Sequence, residues 1–271
     1  MSKSSAAMPL PRDHAMTEPA EPAVEVRGIV KRYGTQVVAL DGVSLAFRAG
    51  ELTSLLGPSG CGKTTLLKII AGLMQPTAGE VLVRGRTVAA PGPDRAFVFQ
   101  DFALMPWATV LRNVAFGLEL KGVPRAEREE TARRHIARVG LAGFEDRYPH
   151  QLSGGMRQRV GLARALAVDA EVLLMDEPFS AVDEQTRRKF QEDLLALCRE
   201  EYKTFIVVTH SIEEAVYLSD RIVLLSPRPG RVSEIVVPEI PRQGTPDEIR
   251  RDPVYIDTVE DIWRGLRRYV E

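Results

Sequence analysis

A glycine-rich segment constrains the fold of this chain more than any other feature. Residues 57–65 fit the pattern G-x-x-x-x-G-K-[S/T], between an apolar run at 52–56 and a mostly apolar stretch at 66–71. These flanks predict a buried strand before the loop and a helix that ends at Gly72 after it. In a strand–loop–helix context the pattern indicates a phosphate-binding loop, and a glycine-rich structural turn is the simpler alternative.

The chemistry of this loop favours a nucleotide. Glycines allow a tight turn that directs several N–H groups inward, and the helix N-terminus adds about half a positive charge. Lys63 adds a full charge, and the Thr64 hydroxyl is placed to hold Mg²⁺. We expect alkylation of Cys61 to block nucleotide binding. The predicted nucleotide-binding residues of the loop are Gly57, Pro58, Ser59, Gly60, Cys61, Gly62, Lys63, Thr64 and Thr65.

Composition narrows the class of protein. The 271 residues suffice for one large α/β domain with an insertion, or for two small domains. With 36 basic and 37 acidic residues, the chain offers no overall field for nucleic acid, and we expect no such partner. Cys61 and Cys198 lack the spacing of metal ligands or redox motifs, which favours a location in the reducing cytosol. No apolar run approaches the roughly 20 residues of a membrane helix, so a membrane role requires a partner.

Changes of pattern along the chain predict its organisation. Residues 1–23 read as a disordered leader, and short alternating segments between residues 24 and 47 predict an antiparallel β layer. Residues 101–159 are mostly helical in pattern and predict an inserted helical subdomain. The run at 222–225 is expected to close the main sheet, and residues 227–271 form a tail, irregular and then partly helical.

Polar residues follow several predicted strands directly. Asp176 and Glu177 come after the buried run 172–175, where one carboxylate can hold Mg²⁺ and the next is free to act as a base toward water. His210 follows the strand at 205–209, at the same predicted sheet edge as Gln100, and is placed to touch a γ-phosphate. The alternative interpretations are that Asp176 and Glu177 are ordinary surface acids and that His210 is a structural histidine. Residues 211–214 predict a capping box for the next helix.

Two further segments suggest nucleotide contacts. Tyr33, in a predicted loop, could stack on an adenine ring or be a half-buried turn residue. Ser153 is a credible N-cap, and with Gly154 and Gly155 it forms either a capped helix start or a second anion site. The apolar loop at 102–107 either fills the core of the helical subdomain or forms an exposed apolar surface for a partner.

Taken together, these motifs resemble the ATPase subunit of an ATP-binding cassette (ABC) transporter over residues 24–226. Tyr33 matches the adenine-stacking loop, residues 57–64 match the Walker A loop, and Gln100 matches the glutamine loop. Residues 152–156 match the signature pentad, residues 172–176 the Walker B strand, and Glu177 the catalytic glutamate. Asp183 matches the interface loop and His210 the switch histidine. Met156 and Val182 depart from the glutamine and leucine common in the family. Residues 104–118 and 227–231 resemble the branch that imports nitrate, sulfonates and taurine.

The resemblance implies a P-loop NTPase (RecA-like) α/β core with an antiparallel β subdomain and an inserted helical subdomain. It implies a homodimer that sandwiches two ATP molecules head to tail, each bound by the Walker A loop of one copy and by Ser153, Gly154 and Gly155 of the other. Thr64, Gln100 and Asp176 would attend Mg²⁺, while Lys63, Gln100, Glu177 and His210 would serve catalysis. Permease subunits, a solute-binding protein indirectly, and a peripheral position on the cytoplasmic face of the inner membrane are also implied.

Three rival interpretations predict features that the sequence lacks or leave features unexplained. A non-transport ABC ATPase of DNA repair or translation usually carries two cassettes or a long coiled-coil insertion, and this chain shows neither. A GTPase would carry an N-K-x-D motif, which is absent. A module that holds ATP without hydrolysing it would not need Glu177 and His210.

Overall fold

The structure, a computed structural model, describes residues 22–180, 184–241 and 244–268, without the side chains of residues 184–186. The strands are β1 (Pro22–Tyr33), β2 (Val37–Arg48), β3 (Leu52–Leu56), β4 (Ala78–Val83), β5 (Arg86–Thr87), β6 (Arg95–Val98), β7 (Val172–Asp176), β8 (Thr204–Val208), β9 (Arg221–Leu225) and β10 (Val232–Val236). The α-helices are α1 (Lys63–Ile70), α2 (Val110–Leu120), α3 (Arg125–Arg138), α4 (Gly154–Ala167), α5 (Glu184–Glu200), α6 (Ile212–Leu218), α7 (Pro246–Arg251) and α8 (Pro253–Arg267).

The main sheet brings the ends of its parallel strands to one edge. Its strand order is β10-β9-β3-β8-β7-β6, and every pair except β10–β9 is parallel. All residues of β3, β7 and β8 are buried, as their continuous apolar character predicts for strands covered on both faces. The phosphate loop, Asp176 and Thr209 therefore follow neighbouring strands at the same edge, where ligands bind in sheets of this kind.

A second, antiparallel sheet in the order β2-β1-β4-β5 confirms the predicted β layer. Its apolar face shares a core with α1, in which Val24 and Val81 lie with Leu66 and Ile70. β1 and β2 are 12 residues each, longer than expected. Residues 41–42 do not interrupt β2, because the register against β1 shifts there. β1 also begins at Pro22, inside the predicted leader.

Three helices form the helical part between β6 and β7. α2, α3 and α4 pack on one another, and Ala132, Ile136 and Val139 are buried as the spacing of apolar residues predicts. α4 continues to Ala167 and contacts β6, so the expected subdomain limit at residue 159 falls inside a helix. This helix thus joins the helical part rigidly to the main sheet.

The expectation that residues 222–225 close the main sheet is wrong. The chain turns back at residues 226–231 and β10 pairs antiparallel with β9, so β10 forms that edge. Farther along the tail lie the helices α7 and α8, and α8 packs on α6. Among the described residues, no helix combines the length and the apolar character needed to cross a membrane.

Candidate nucleotide-binding site

The phosphate loop connects β3 to α1 in a strained, tightly packed turn. Gly62 has a φ of 103°, and a Cβ there would lie 2.6 Å from Leu40 Cδ2, so only glycine fits. Lys63, the first residue of α1, folds back over the loop and donates from Nζ to the carbonyls of Gly57 (2.6 Å) and Pro58 (3.1 Å). The ammonium group is therefore held above the loop, within the cavity described below.

Thr64 and Asp176 form the part of the site that suits a divalent cation. The Thr64 hydroxyl donates to Asp176 Oδ1 over 2.9 Å, joining the start of α1 to the end of β7. Burial raises the pKa of the Asp176 carboxyl, and the neighbouring charge of Glu177 acts in the same direction, although the Thr64 hydrogen bond opposes both. Hydroxyl and carboxylate oxygens are ligands that Mg²⁺ prefers. The described residues contain no group of three or more His, Cys, Asp or Glu suited to a metal.

Glu177 is placed where three strand ends meet. Its carboxylate accepts from Gln100 Nε2 at 3.2 Å and lies 3.4 Å from His210 Nδ1. Its φ of 47° lies in the left-handed region, which is rare outside glycine. The structure brings Gln100, Glu177 and His210 together at the sheet edge where the sequence predicts Gln100, Asp176 and His210.

A cavity of about 350 Å³ opens between the phosphate loop and the antiparallel sheet. It is lined by Tyr33, Val37, Ala39, Ser59, Gly60, Gly62, Lys63, Thr64, Thr65, Glu177 and Arg228. Apolar and aromatic groups on one side and cations on the other suit a molecule with a ring system and an anionic chain.

Tyr33 ends β1 and does not lie in a loop as expected. Its ring is 43% exposed and lines the cavity, while Lys31 Nζ lies 5.5 Å from the ring centroid. The phenol oxygen is 3.3 Å from Thr65 Oγ1, with either atom able to donate. The ring is therefore fixed beside the phosphate loop with accessible surface left for stacking.

Ser153 caps α4 as predicted, accepting from the backbone N–H of Met156 at 3.3 Å. Neither Ser153 nor Gly154 nor Gly155 lines the cavity. The two predicted anion-binding helix starts thus do not share one pocket within a single chain. Asp183, predicted for the same interface, lies outside the described residues.

The predicted capping box at α6 is only half present. Ser211 Oγ accepts from the Glu214 N–H at 3.1 Å, but the Glu214 carboxylate accepts the Thr209 hydroxyl at 2.6 Å. The Ser211 N–H donates instead to Thr209 Oγ1 at 3.1 Å. Glu214 is thereby tied to the residue before His210, and burial raises its pKa.

The expected reactivity of Cys61 is wrong in its premise. The thiol is 1% exposed, and burial raises its pKa despite Lys63 Nζ at 3.9 Å. A buried, protonated thiol reacts slowly with alkylating reagents. The expected alkylation of Cys61 is therefore opposed by the burial of its side chain.

Two arginines of the site carry no local sequence signal. Arg164 of α4 donates to the carbonyls of Phe102 (2.6 Å) and Ala103 (2.8 Å), two residues with positive φ that follow Gln100. Arg228 lines the cavity from the turn between β9 and β10. Residues 227–231 stand out in the sequence only by their resemblance to the importer branch, which assigns Arg228 no role.

Known proteins resemble this chain in sequence and in fold. The model of the ABC transporter family matches residues 40–180. An uncharacterized ABC transporter ATP-binding protein of Methanocaldococcus jannaschii is 58% identical, covering 77% of this chain and 78% of the relative. The taurine import ATP-binding protein TauB of Chromobacterium violaceum is 51% identical, and the match covers 86% of this chain and 91% of that relative. A dimeric post-hydrolysis state of the ATP-binding cassette MJ0796 bound to ADP and Pi has a TM-score of 0.70 and 34% identity, covering 82% of this chain and 100% of that one.

The family model spans more than half of the chain, and the alignments cover 78% and 91% of these two relatives at 58% and 51% identity. The chain therefore belongs to the ABC transporter family.

Proposed function

We propose that this chain is the ATP-hydrolysing subunit of an importer, and that it couples ATP binding and hydrolysis to solute uptake through a membrane permease. The observation that carries the proposal is the cavity shared by Lys63, Thr64 and Glu177, which joins phosphate-binding and base chemistry in one place. The relatives include taurine import proteins, which favours transport over a DNA-repair or translation role. Phosphate release from ATP by the purified chain tests the enzymatic part directly.

The residues present fit magnesium. Thr64 and Asp176 would hold the ion, with Gln100 beside it, and Mg²⁺ would neutralise negative charge on the phosphate chain when bound. Thr64→Val keeps the shape of the side chain but removes the oxygen. We expect it to weaken MgATP binding by at least about tenfold, in the range seen when groups that support a metal are lost, and to affect ATP binding in excess EDTA much less. Equal losses in both conditions would contradict this role.

Each remaining polar group has a separate task in hydrolysis. Glu177 accepts a proton from the attacking water, and His210, 3.4 Å away, orients that carboxylate and the γ-phosphate. Lys63 exchanges its carbonyl partners for phosphate oxygens. Because phosphoryl transfer is mostly positioning and charge stabilisation, the enclosure of the phosphate chain is itself part of catalysis.

The active form is a head-to-tail homodimer. In one chain Ser153, Gly154 and Gly155 stand away from the cavity, which leaves the anion-binding start of α4 for a second copy. The structural relative bound to ADP and Pi is dimeric, which supports the same assembly. Each complete site would join one copy's phosphate loop to the other copy's Ser153 segment and Asp183.

The permease contact is the exposed part of the loop at residues 102–107. Phe102 is buried and fills the core, whereas Trp107 is 74% exposed. Phe116 and Leu120, one turn apart on α2, are exposed as well. Trp107→Ala should lose permease association and keep ATP affinity. Tyr202→Ala, which removes another exposed aromatic ring, should keep both.

The solute is a nitrate, a sulfonate such as taurine, or a similar small anion, delivered by a solute-binding protein. The named taurine import relatives and the resemblance of residues 104–118 and 227–231 support this class. The subunit would sit peripherally on the cytoplasmic face of the inner membrane. Uptake of labelled taurine and nitrate by cells with and without the Glu177→Gln subunit tests the choice, and uptake that is insensitive to the substitution would exclude that solute.

A further inference from the structure

The turn at residues 226–231 is packed against the phosphate loop. The Gly230 N–H donates to the Ala39 carbonyl at 2.9 Å, and the Gly230 carbonyl accepts from the Asp41 N–H at 3.1 Å. A Cβ on Gly230 would lie 2.0 Å from the Cys61 carbonyl oxygen, so no other residue fits at this position. Arg231 pairs with Asp41 on the outer side. The turn is thus anchored on both sides, which fixes the approach of Arg228.

Arg228 extends from this turn into the cavity. Its Nε lies 3.5 Å from the Gly60 carbonyl, a long hydrogen bond, and its Nη2 lies 3.2 Å from where a Gly60 Cβ would be. It lines the same cavity as Tyr33 and Lys63. Lys63 is held at the carbonyls of Gly57 and Pro58, so the two cations reach the loop at different points.

The guanidinium group of Arg228 has no carboxylate within 4.0 Å among the residues that the structure describes. Three other arginines each pair with a carboxylate: Arg231 with Asp41, Arg221 with Glu51 at 3.9 Å, and Arg84 with Glu171 at 3.0 Å. An arginine presents five donors in a planar fork that matches phosphate oxygens. A cation without a counter-charge, directed into a cavity already built for anions, is suited to a ligand of negative charge.

We propose that Arg228 binds the phosphate chain of the nucleotide directly, as a second cationic contact beside Lys63. This rests on the proposed function, in which the cavity holds ATP or ADP. The competing interpretation is that Arg228 braces the loop through the Gly60 carbonyl and never touches the ligand. The two differ in what they require: a brace needs one N–H donor, whereas a phosphate contact needs positive charge.

The test measures ADP binding to the full chain in the presence of Mg²⁺ by titration calorimetry. Arg228→Gln keeps an N–H donor for Gly60 and loses the charge, so we expect its dissociation constant to rise about tenfold, as for loss of a charged hydrogen bond. Arg228→Lys keeps the charge but loses the planar fork, so we expect a loss of affinity smaller than that of Arg228→Gln. Arg86→Gln, at an exposed arginine of β5, should leave binding unchanged.

Salt dependence provides a second readout. Raising ionic strength should weaken ADP binding to the wild type more steeply than to Arg228→Gln. Salt screens the charge of Arg228, which the wild type has and the variant lacks. Equal melting temperatures without nucleotide would show that the variants fold alike. If Arg228→Gln bound ADP as tightly as the wild type, only this inference would be overturned. Failure of the wild type itself to bind ADP would overturn the proposed function, and this inference with it.

Discussion

The carboxylate of Glu177 lies 3.4 Å from Nδ1 of His210, although 33 positions separate the two residues in the chain. Their strands, β7 and β8, are parallel neighbours in which Asp176 pairs with Val208. The Glu177 N–H then donates to the Val208 carbonyl at 3.0 Å, which extends the register beyond the strand end. The sheet itself therefore sets this contact, before any ligand binds.

Replacing Glu177 by Gln tests its role as the base. Glutamine keeps the size of the side chain and can still face Gln100 and His210, so ATP binding should persist. Hydrolysis should fall by about 10²–10⁴-fold, the usual worth of a positioned base. Phosphate release and ATP affinity are measured on the same preparation, and full turnover would remove Glu177 from this role.

Stability should fall as pH drops below 6.5, in part because of His135. Burial, reinforced by the charges of Arg134 and Arg138, lowers its pKa from 6.5 to about 4, and its Nδ1 finds no hydrogen-bond partner among the described residues. Between these values the unfolded chain binds the proton and the folded chain does not, so acid favours unfolding. The contribution lost at pH 5 is about 2 kcal/mol.

His135→Phe should therefore flatten this pH dependence. Melting temperatures at pH 7.5 and pH 5 should differ less in the variant than in the wild type, since the phenyl ring cannot bind a proton. An equally large difference in both proteins would show that His135 does not contribute to acid sensitivity.

Arg164 should stabilise the loop after Gln100. Burial lowers its pKa, and its two donors hold the carbonyls of Phe102 and Ala103, whose positive φ values are costly outside glycine. Arg164→Met removes both hydrogen bonds and should cost about 3 kcal/mol of stability. Thermal unfolding measures the loss. A melting temperature unchanged from the wild type would mean that the loop holds its shape unaided.

The C-terminal helices should support the segment that carries His210. Arg250 of α7 donates to Gln191 Oε1 at 3.0 Å, and Gln191 Nε2 donates to Glu214 Oε1 at 3.3 Å, while Glu214 accepts from Thr209. Arg250 also stacks 4.3 Å from the Tyr217 ring centroid. We expect Arg250→Ala to lower the melting temperature and to reduce ATP hydrolysis several-fold. Loss of this partly buried network should cost about 1–2 kcal/mol of folding stability.

Arg251→Ala is the matched control for this network, because Arg251 is adjacent, exposed and on the same helix. It should leave both hydrolysis and melting temperature close to those of the wild type. Equal effects of the two substitutions would indicate a general contribution of α7 and not the specific chain of hydrogen bonds from Arg250 to Thr209.

Local patterns were sufficient to predict the phosphate loop and the strand-end residues. The loop needs glycines at fixed positions, and a buried parallel strand reads as an uninterrupted apolar run, so Lys63, Asp176 and Glu177 could be placed from sequence. The order and type of the central elements followed from the same signals.

Contacts between distant parts of the chain could not be predicted in this way. Arg228 meets Gly60 across 168 positions and Arg164 meets Phe102 across 62, and nothing near either arginine marks its partner. β10 was missed because its exposed residues resemble a charged tail. Cys61 was misjudged because its burial depends on Gly57 and Lys63 folding over it.

Trapping the two faces of the site tests the central claim most directly. Ser59→Cys in one tagged chain and Ser153→Cys in a differently tagged chain, both with Cys61→Ala and Glu177→Gln, are mixed and oxidised. With MgATP, the account predicts a disulfide that joins the two tags, and little product when Arg86→Cys replaces Ser59→Cys. Absence of the mixed product with MgATP, or equal yield from the Arg86→Cys chain, would contradict a nucleotide enclosed between two copies.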